Sequence, residues 1–288
     1  MTKSTTSPVP STVGVLGGGR MGAGIAHAFL VSGAHVTVVE VDAQAAEAAK
    51  ERVESDLAKS LERGKIDGNL DVWAENFAVS VDHADFANCE LVVEAVPEIW
   101  DLKVSSLREV EANLSEGAWL ATNTSSLSVD GLAAQLQRPE RFCGMHFFNP
   151  VPASKLVEIV IGERTGQELR DLTLQWVAGL GKTPVTVKDA PGFASSRLGV
   201  ALGLEAIRMV EEGVASAEDI DNAMVLGYKH PVGPLALTDI VGLDVRLGIA
   251  EYLEKELGPR FTPPQLMRDM VERGELGKKS GRGFYDYS

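Results

Sequence analysis

The chain has 288 residues, 44% apolar and 24% charged, which suits one large or two medium soluble domains with a proper hydrophobic core. A net charge of −14 and a pI near 4.9 argue against nucleic acid or an anionic membrane surface as partner. Two cysteines, Cys89 and Cys143, stand in no metal-type or redox-type spacing, which points to a reduced cytoplasmic setting and to no metal site.

Met1 to Ser11 is rich in Ser, Thr and Pro and has no apolar h-region, so it is expected to be disordered and not a secretory signal. With no run of eighteen apolar residues anywhere, no membrane span is expected. From Thr12 to about Val187, short β-branched runs alternate with helical patterns. The runs Val13–Leu16, Val36–Glu40, Leu91–Glu94, Trp119–Thr122 and Phe142–His146 predict strands, as do Lys155–Ile161 and Thr183–Val187. Helices are predicted over Met21–Ser32, Ala43–Arg63, Ile99–Leu114, Val129–Ala134 and Gly166–Leu180. The long charged helix ended by Gly64-Lys65-Ile66-Asp67-Gly68 resembles an exposed hairpin more than a core crossover.

Such alternation implies an α/β domain over residues 12–190, with a mostly parallel, doubly wound sheet. At Asp189-Ala190-Pro191-Gly192 the character changes, and residues 191–288 are expected to form an all-α domain. Phe193 to Glu212 is apolar on nearly all sides, which predicts a helix buried in a domain core or a subunit interface. This second domain is the candidate dimerisation unit, giving a homodimer.

Gly17-Gly18-Gly19-Arg20-Met21-Gly22 places Gly-x-Gly-x-x-Gly directly between a predicted strand and helix. Gly17 permits the tight turn, Gly19 lets the backbone approach a pyrophosphate at the helix N-terminus, and Gly22 allows close packing of helix on strand. Glu40, eighteen positions beyond Gly22, ends the second strand and is placed to bind ribose hydroxyls, while Asp42 fits better as an N-cap. A carboxylate there repels a 2′-phosphate and no arginine stands beside it in sequence, so NAD is favoured over NADP. The fold expected is therefore Rossmann-like.

In Gly144-Met145-His146-Phe147-Phe148-Asn149-Pro150, one histidine ends an apolar run, and Glu158 follows twelve residues later. Carried on neighbouring strands, the carboxylate would hold the imidazole in one tautomer and stabilise its protonated form, which is what a general base needs.

With Asn123-Thr124-Ser125-Ser126-Leu127, Lys155-Leu156-Val157-Glu158, Asp189-Ala190-Pro191-Gly192-Phe193, His230-Pro231-Val232-Gly233-Pro234 and the closing Gly277-Lys278-Lys279-Ser280-Gly281-Arg282-Gly283-Phe284-Tyr285, these motifs come in a familiar order. Over residues 12 to 287 the chain resembles the short-chain L-3-hydroxyacyl-CoA dehydrogenases, above all the bacterial 3-hydroxybutyryl-CoA branch. That resemblance implies a reversible oxidation of a short (S)-3-hydroxyacyl-CoA to the 3-oxoacyl-CoA, with NAD. It implies His146 as base, Glu158 as its orienting partner and Ser125 as a hydrogen-bond donor to the reacting oxygen. Glu98, Lys103, Asn149 and Lys279 would contact NAD, and Arg63 the CoA phosphates. Plainer readings stand beside these: Ser125 as a helix cap, Glu98 and Lys103 as a charged first turn, Asn149 as a turn former and Lys59 as solvated surface. Ser196 stands where the family usually has asparagine, a shorter arm with one hydroxyl, which bears on the substrate more than on the reaction. A dehydrogenase of a free hydroxy acid and a non-catalytic NAD-binding protein are the alternatives.

Overall fold

The computed structural model describes residues 9–67 and 69–287, the side chains of residues 71 and 72 excepted. The expected disorder of Met1–Ser11 falls outside the described residues as far as residue 8, as does Gly68 of the helix-ending turn. Val9 and Pro10 are buried, and Ser11 donates to Glu90 from N at 3.0 Å and from Oγ at 2.6 Å, so the end of that segment is part of the fold. The chain divides after Ala190 into two compact units.

The first unit is an eight-stranded sheet. Its strands are β1 (Thr12–Leu16), β2 (His35–Val39), β3 (Phe77–Ser80), β4 (Leu91–Glu94), β5 (Trp119–Thr122), β6 (Phe142–Phe147), β7 (Leu156–Ile161) and β8 (Thr183–Lys188), in spatial order β3-β2-β1-β4-β5-β6-β7-β8. Every neighbouring pair is parallel except β6 with β7. Crossovers run through α1 (Arg20–Val31), α2 (Ala43–Glu62), α3 (Leu70–Ala74), α4 (Trp100–Asn113), α5 (Val129–Ala133) and α6 (Gln167–Gly179). The central strands β4, β5 and β6 are buried at every residue and are apolar without alternation except for Glu94, Thr122 and His146 at or near their carboxyl ends, as strands covered on both faces should be. Phe29, Met145, Phe147 and Ile159 are among the fully buried side chains, each worth roughly 1.5–3 kcal/mol of apolar burial.

Two differences from the sequence reading have physical causes. The α2 helix is not merely an exposed hairpin arm: with α3 it forms the crossover from β2 to parallel β3, and it buries Ala46, Ala49, Val53 and Leu57. Its charges crowd the remaining faces, which hides an alanine-rich buried stripe. The strand β3 escapes detection because it is a half-exposed edge of four residues.

The second unit is helical: α7 (Ser195–Glu211), α8 (Ala217–Asn222), α9 (Pro234–Val241), α10 (Leu243–Leu257) and α11 (Gln265–Glu272). Its core gathers Val200, Leu204, Ile207, Leu235, Leu253 and Phe261. Of the two burials expected for α7, a domain core or a subunit interface, the core of this unit takes one face. The helix turns Val200, Leu204 and Ile207 inward but leaves Leu198 71% exposed, so its apolar surplus lies on the outside of this unit.

Candidate active site

The order of strands reverses between β1 and β4, and the crevice at their carboxyl ends is where doubly wound sheets bind ligands. The glycine loop leaves β1 there. Gly17 adopts φ +87°, and a Cβ on Gly22 would come 1.7 Å from the Gly17 carbonyl oxygen, so α1 can pack against its own strand only with glycine at that place. Around Gly19 there is nothing within 4 Å of where a Cβ would be, which leaves an open cradle beside the start of α1. A dinucleotide pyrophosphate fits that cradle, next to backbone N–H groups that the helix itself cannot satisfy. Glu40 fixes the loop from β2: its Oε1 accepts the Gly18 N–H at 2.6 Å and its Oε2 the Val41 N–H at 3.1 Å. Asp42 caps α2 by accepting from Ala45 N at 2.8 Å. The fold also brings up an arginine that sequence proximity misses: Arg52 of α2 donates to the Gly18 carbonyl at 3.2 Å.

After β4 comes a buried ionic network that pattern reading did not contain. Glu94, fully buried, accepts from Lys103 Nζ at 2.7 Å, from Thr122 Oγ1 at 2.6 Å and from Val96 N at 2.7 Å. Lys103, 1% exposed, also meets Glu98 at 3.3 Å and the Val96 carbonyl at 3.2 Å, so three acceptors share its three protons. Where the resemblance implied a contact with NAD, Lys103 places its protons on these three groups, and Glu98 is the one that continues to the serine loop. Glu98 precedes α4 and is no first-turn ornament. Its Oε1 gathers Thr124 Oγ1 at 2.6 Å, Ser125 N at 2.9 Å and Ser126 N at 3.1 Å. Burial would raise its pKa, but the Lys103 charge and these donors outweigh it and hold the carboxyl below its usual range.

Ser125 therefore hangs on Glu98, with its Oγ 3.4 Å from the same oxygen, and it caps no helix; the cap of α5 is Ser128, which accepts from Gly131 N at 3.0 Å. Asp189 secures that corner, accepting from Ser128 Oγ at 2.7 Å and from Asp130 N at 2.8 Å. Asn123 Oδ1 accepts from Phe147 N at 2.8 Å, which ties the serine loop to the end of β6.

On β6 and β7 the antiparallel register sets His146 directly opposite Glu158. Both are buried, and His146 Nδ1 lies 2.8 Å from Glu158 Oε2. With a carboxylate facing it at this distance, Nδ1 is the nitrogen on which a proton is favoured. The Phe148 ring lies 4.4 Å from the imidazole centroid, and Asn149, exposed, enters a cis bond to Pro150.

Three further candidates remain. Arg63 is the exposed C-cap of α2. In the second unit, Ser196 lies in the first turn of α7, and Lys279 donates to Asp244 Oδ2 at 2.6 Å. Thr122 and Glu94 are the site residues that sequence reasoning missed. Their signal was a Glu closing one buried strand and a Thr closing the next, and only the parallel register between β4 and β5 pairs them.

The 3-hydroxyacyl-CoA dehydrogenase NAD-binding domain model matches residues 12–190, and the 3-hydroxyacyl-CoA dehydrogenase C-terminal domain model matches residues 192–287. A probable 3-hydroxybutyryl-CoA dehydrogenase of Deinococcus radiodurans is 41% identical over 95% of this chain and 99% of its own. The 3-hydroxybutyryl-CoA dehydrogenase of Mycobacterium tuberculosis is 40% identical over 96% and 98%. Among solved structures, (S)-3-hydroxybutyryl-CoA dehydrogenase PaaH1 from Ralstonia eutropha superposes with a TM-score of 0.93 at 40% identity, covering 97% of this chain and 99% of that one. With an open glycine cradle for NAD and a histidine locked to a carboxylate, this chain belongs to the 3-hydroxyacyl-CoA dehydrogenase family, NAD-dependent oxidoreductases.

Proposed function

We propose that the chain reversibly oxidises short-chain (S)-3-hydroxyacyl-CoA thioesters to 3-oxoacyl-CoA, with His146 as general base and Glu158 as the residue that orients it. The observation that carries this is the 2.8 Å contact between His146 Nδ1 and Glu158 Oε2 across paired strands. NAD, when bound, accepts the hydride that leaves C3. His146 Nε2 takes the proton of the 3-hydroxyl as the C3–O bond becomes a carbonyl, and Glu158 offsets the imidazolium charge. Ser125 turns its hydroxyl to the reacting oxygen, on a loop whose place Glu98 and Lys103 set. Gly17, Gly19 and Gly22 receive the pyrophosphate and Glu40 the ribose, with Asn149 and Lys279 as further cofactor contacts. Arg63 meets the CoA phosphates, and Ser196 the acyl part.

The acyl-CoA class rests on the names of the relatives; Ser196 in place of asparagine keeps a free hydroxy acid as the second reading. Following NADH oxidation with acetoacetyl-CoA, and separately with free 3-oxo acids, decides between them. Turnover of the free acid alone would reject the thioester reading, and turnover of neither would leave an NAD-binding protein without this activity.

The chain further forms a homodimer through its helical unit. Support comes from Leu198, Leu226, Tyr228 and Ile240, all large, apolar and exposed on that unit. A monomer in sedimentation at micromolar concentration would reject this. The two cysteines are free and buried, which suits the reducing cytoplasm, and no described helix is long and apolar enough to cross a membrane.

A further inference from the structure

Lys182 ends the connection from α6 to β8, where Gly181, at φ +68°, turns the chain out of the helix. Its ammonium donates to two backbone carbonyls, those of Val151 and Ser154, each at 2.6 Å. These acceptors stand 31 and 28 residues back along the chain, so no local pattern announces the contact. No carboxylate among the described residues meets this ammonium, and burial alone pulls its pKa below the usual lysine value. Burying a cation without a counter-charge is unfavourable, and two charge-assisted bonds to one turn offset it here.

That turn is the loop of the β6–β7 hairpin. The antiparallel ladder runs from Gly144 opposite Val160 to Phe147 opposite Val157, so residues 148–155 connect the strand of His146 to the strand of Glu158. Within the loop, the Pro150 carbonyl accepts from Ala153 N and Ser154 N, both at 3.0 Å. Val151, 2% exposed, seats against α1: a Cβ on Gly24 would come 2.8 Å from Val151 Cβ. This is the helix whose N-terminus forms the glycine cradle, and Gly24 lies just beyond Gly22. The loop is thereby fastened twice, to the cofactor helix by packing and to Lys182 by hydrogen bonds. Asn149 stands at its entrance, next but one to Val151.

We propose that Lys182 is a positioning residue for the cofactor: by holding the Val151 and Ser154 carbonyls, it sets Asn149 where NAD is bound. This rests on the reading of Asn149 as a cofactor contact. The ladder that keeps His146 opposite Glu158 uses neither carbonyl, so Lys182 governs how tightly the cofactor is held and leaves the proton transfer alone.

The test is a fluorescence titration of NADH against wild type, Lys182→Met, Asn149→Ala and the double variant, with kcat on acetoacetyl-CoA at saturating NADH alongside. Each single variant is expected to raise the NADH Kd by about tenfold, the scale of one charge-assisted hydrogen bond. For Lys182→Met, kcat is expected to change little. The double variant should bind no more weakly than Asn149→Ala, because once the amide is gone its placement no longer matters. Effects that multiply in the double variant would make the lysine a general prop and overturn the proposal; so would a fall in kcat with the Kd kept. If Lys182→Met does not fold, Lys182→Gln, with two donors on a shorter arm, decides: a raised Kd supports the proposal and an unchanged one overturns it. An unchanged Kd in Asn149→Ala removes Asn149 from the cofactor site, and the proposal with it. A raised Kd there with unchanged Lys182 variants removes the proposal alone.

Discussion

Two ionic groups stand near the carboxyl ends of the central strands, and they are built differently. Lys103 is ringed by Glu94, Glu98 and the Val96 carbonyl, with every ammonium proton placed. His146 has its Nδ1 tied to one carboxylate, across one strand pair. The comparison separates two designs: a charge with all its bonds made inside the protein holds a shape, whereas an imidazole oriented through Nδ1 by a carboxylate has the geometry that the proposed general base needs. The scaffold then serves the chemistry, because Glu98 passes the placement of Lys103 on to the Ser125 loop.

Substitution at each centre should give opposite signatures. His146→Asn is expected to lower kcat by roughly 10²- to 10⁴-fold, the usual worth of a general base, while urea unfolding moves little. More than a tenth of wild-type turnover in the acetoacetyl-CoA assay would end the base assignment. Lys103→Met should act on stability first, costing about 3–5 kcal/mol because it strands Glu94 as a buried unpaired charge. Adding Glu94→Gln should return part of that loss; if the double variant is no more stable than the single one, the network is not what Lys103 holds together. Glu158→Gln should fall between these in kcat, since the amide keeps its shape but cannot offset the imidazolium charge.

Acid sharpens the same contrast. The Glu98 carboxyl is held below its usual range, so its folded pKa is lower than its unfolded one, and it adds stability that is fully present above the unfolded value. That stability is lost as pH falls from the unfolded value through the lower folded one. Glu98→Gln should therefore flatten the acid limb of urea midpoint against pH. Because Glu98 is about a third exposed, the change is modest, and an acid limb identical to wild type would show that the carboxylate carries no such linkage.

The sequence was most legible where one local rule suffices. Gly17, Gly19 and Gly22 need only a turn and a close approach, and the continuous apolar runs of β4 and β6 announce strands covered on both faces. The Glu158 partnership was within reach because one register links two adjacent strands. Glu94 with Thr122 and Lys103 was not legible: the bonds join β4, β5 and α4, and nothing in the spacing of those residues distinguishes a buried lysine from a surface one. For α7 the composition left the choice open, since apolar residues on all sides do not say which face the rest of the unit covers.

The smallest effect concerns Cys143, three residues before His146 on β6, and it isolates what burial does without a partner. Burial alone pushes the Cys143 thiol up to about 12. For Cys89, burial and the charge of Asp85 together raise it to about 11. Neither group holds thiolate at pH 8, and neither is open to solvent. Native protein treated with a chromogenic disulfide reagent at that pH should therefore release almost no thiolate, and unfolding in guanidinium should release two equivalents. A fast equivalent that disappears in Cys143→Ala would mean that β6 opens readily, and a strand that opens could not hold His146 against Glu158 at hydrogen-bond distance.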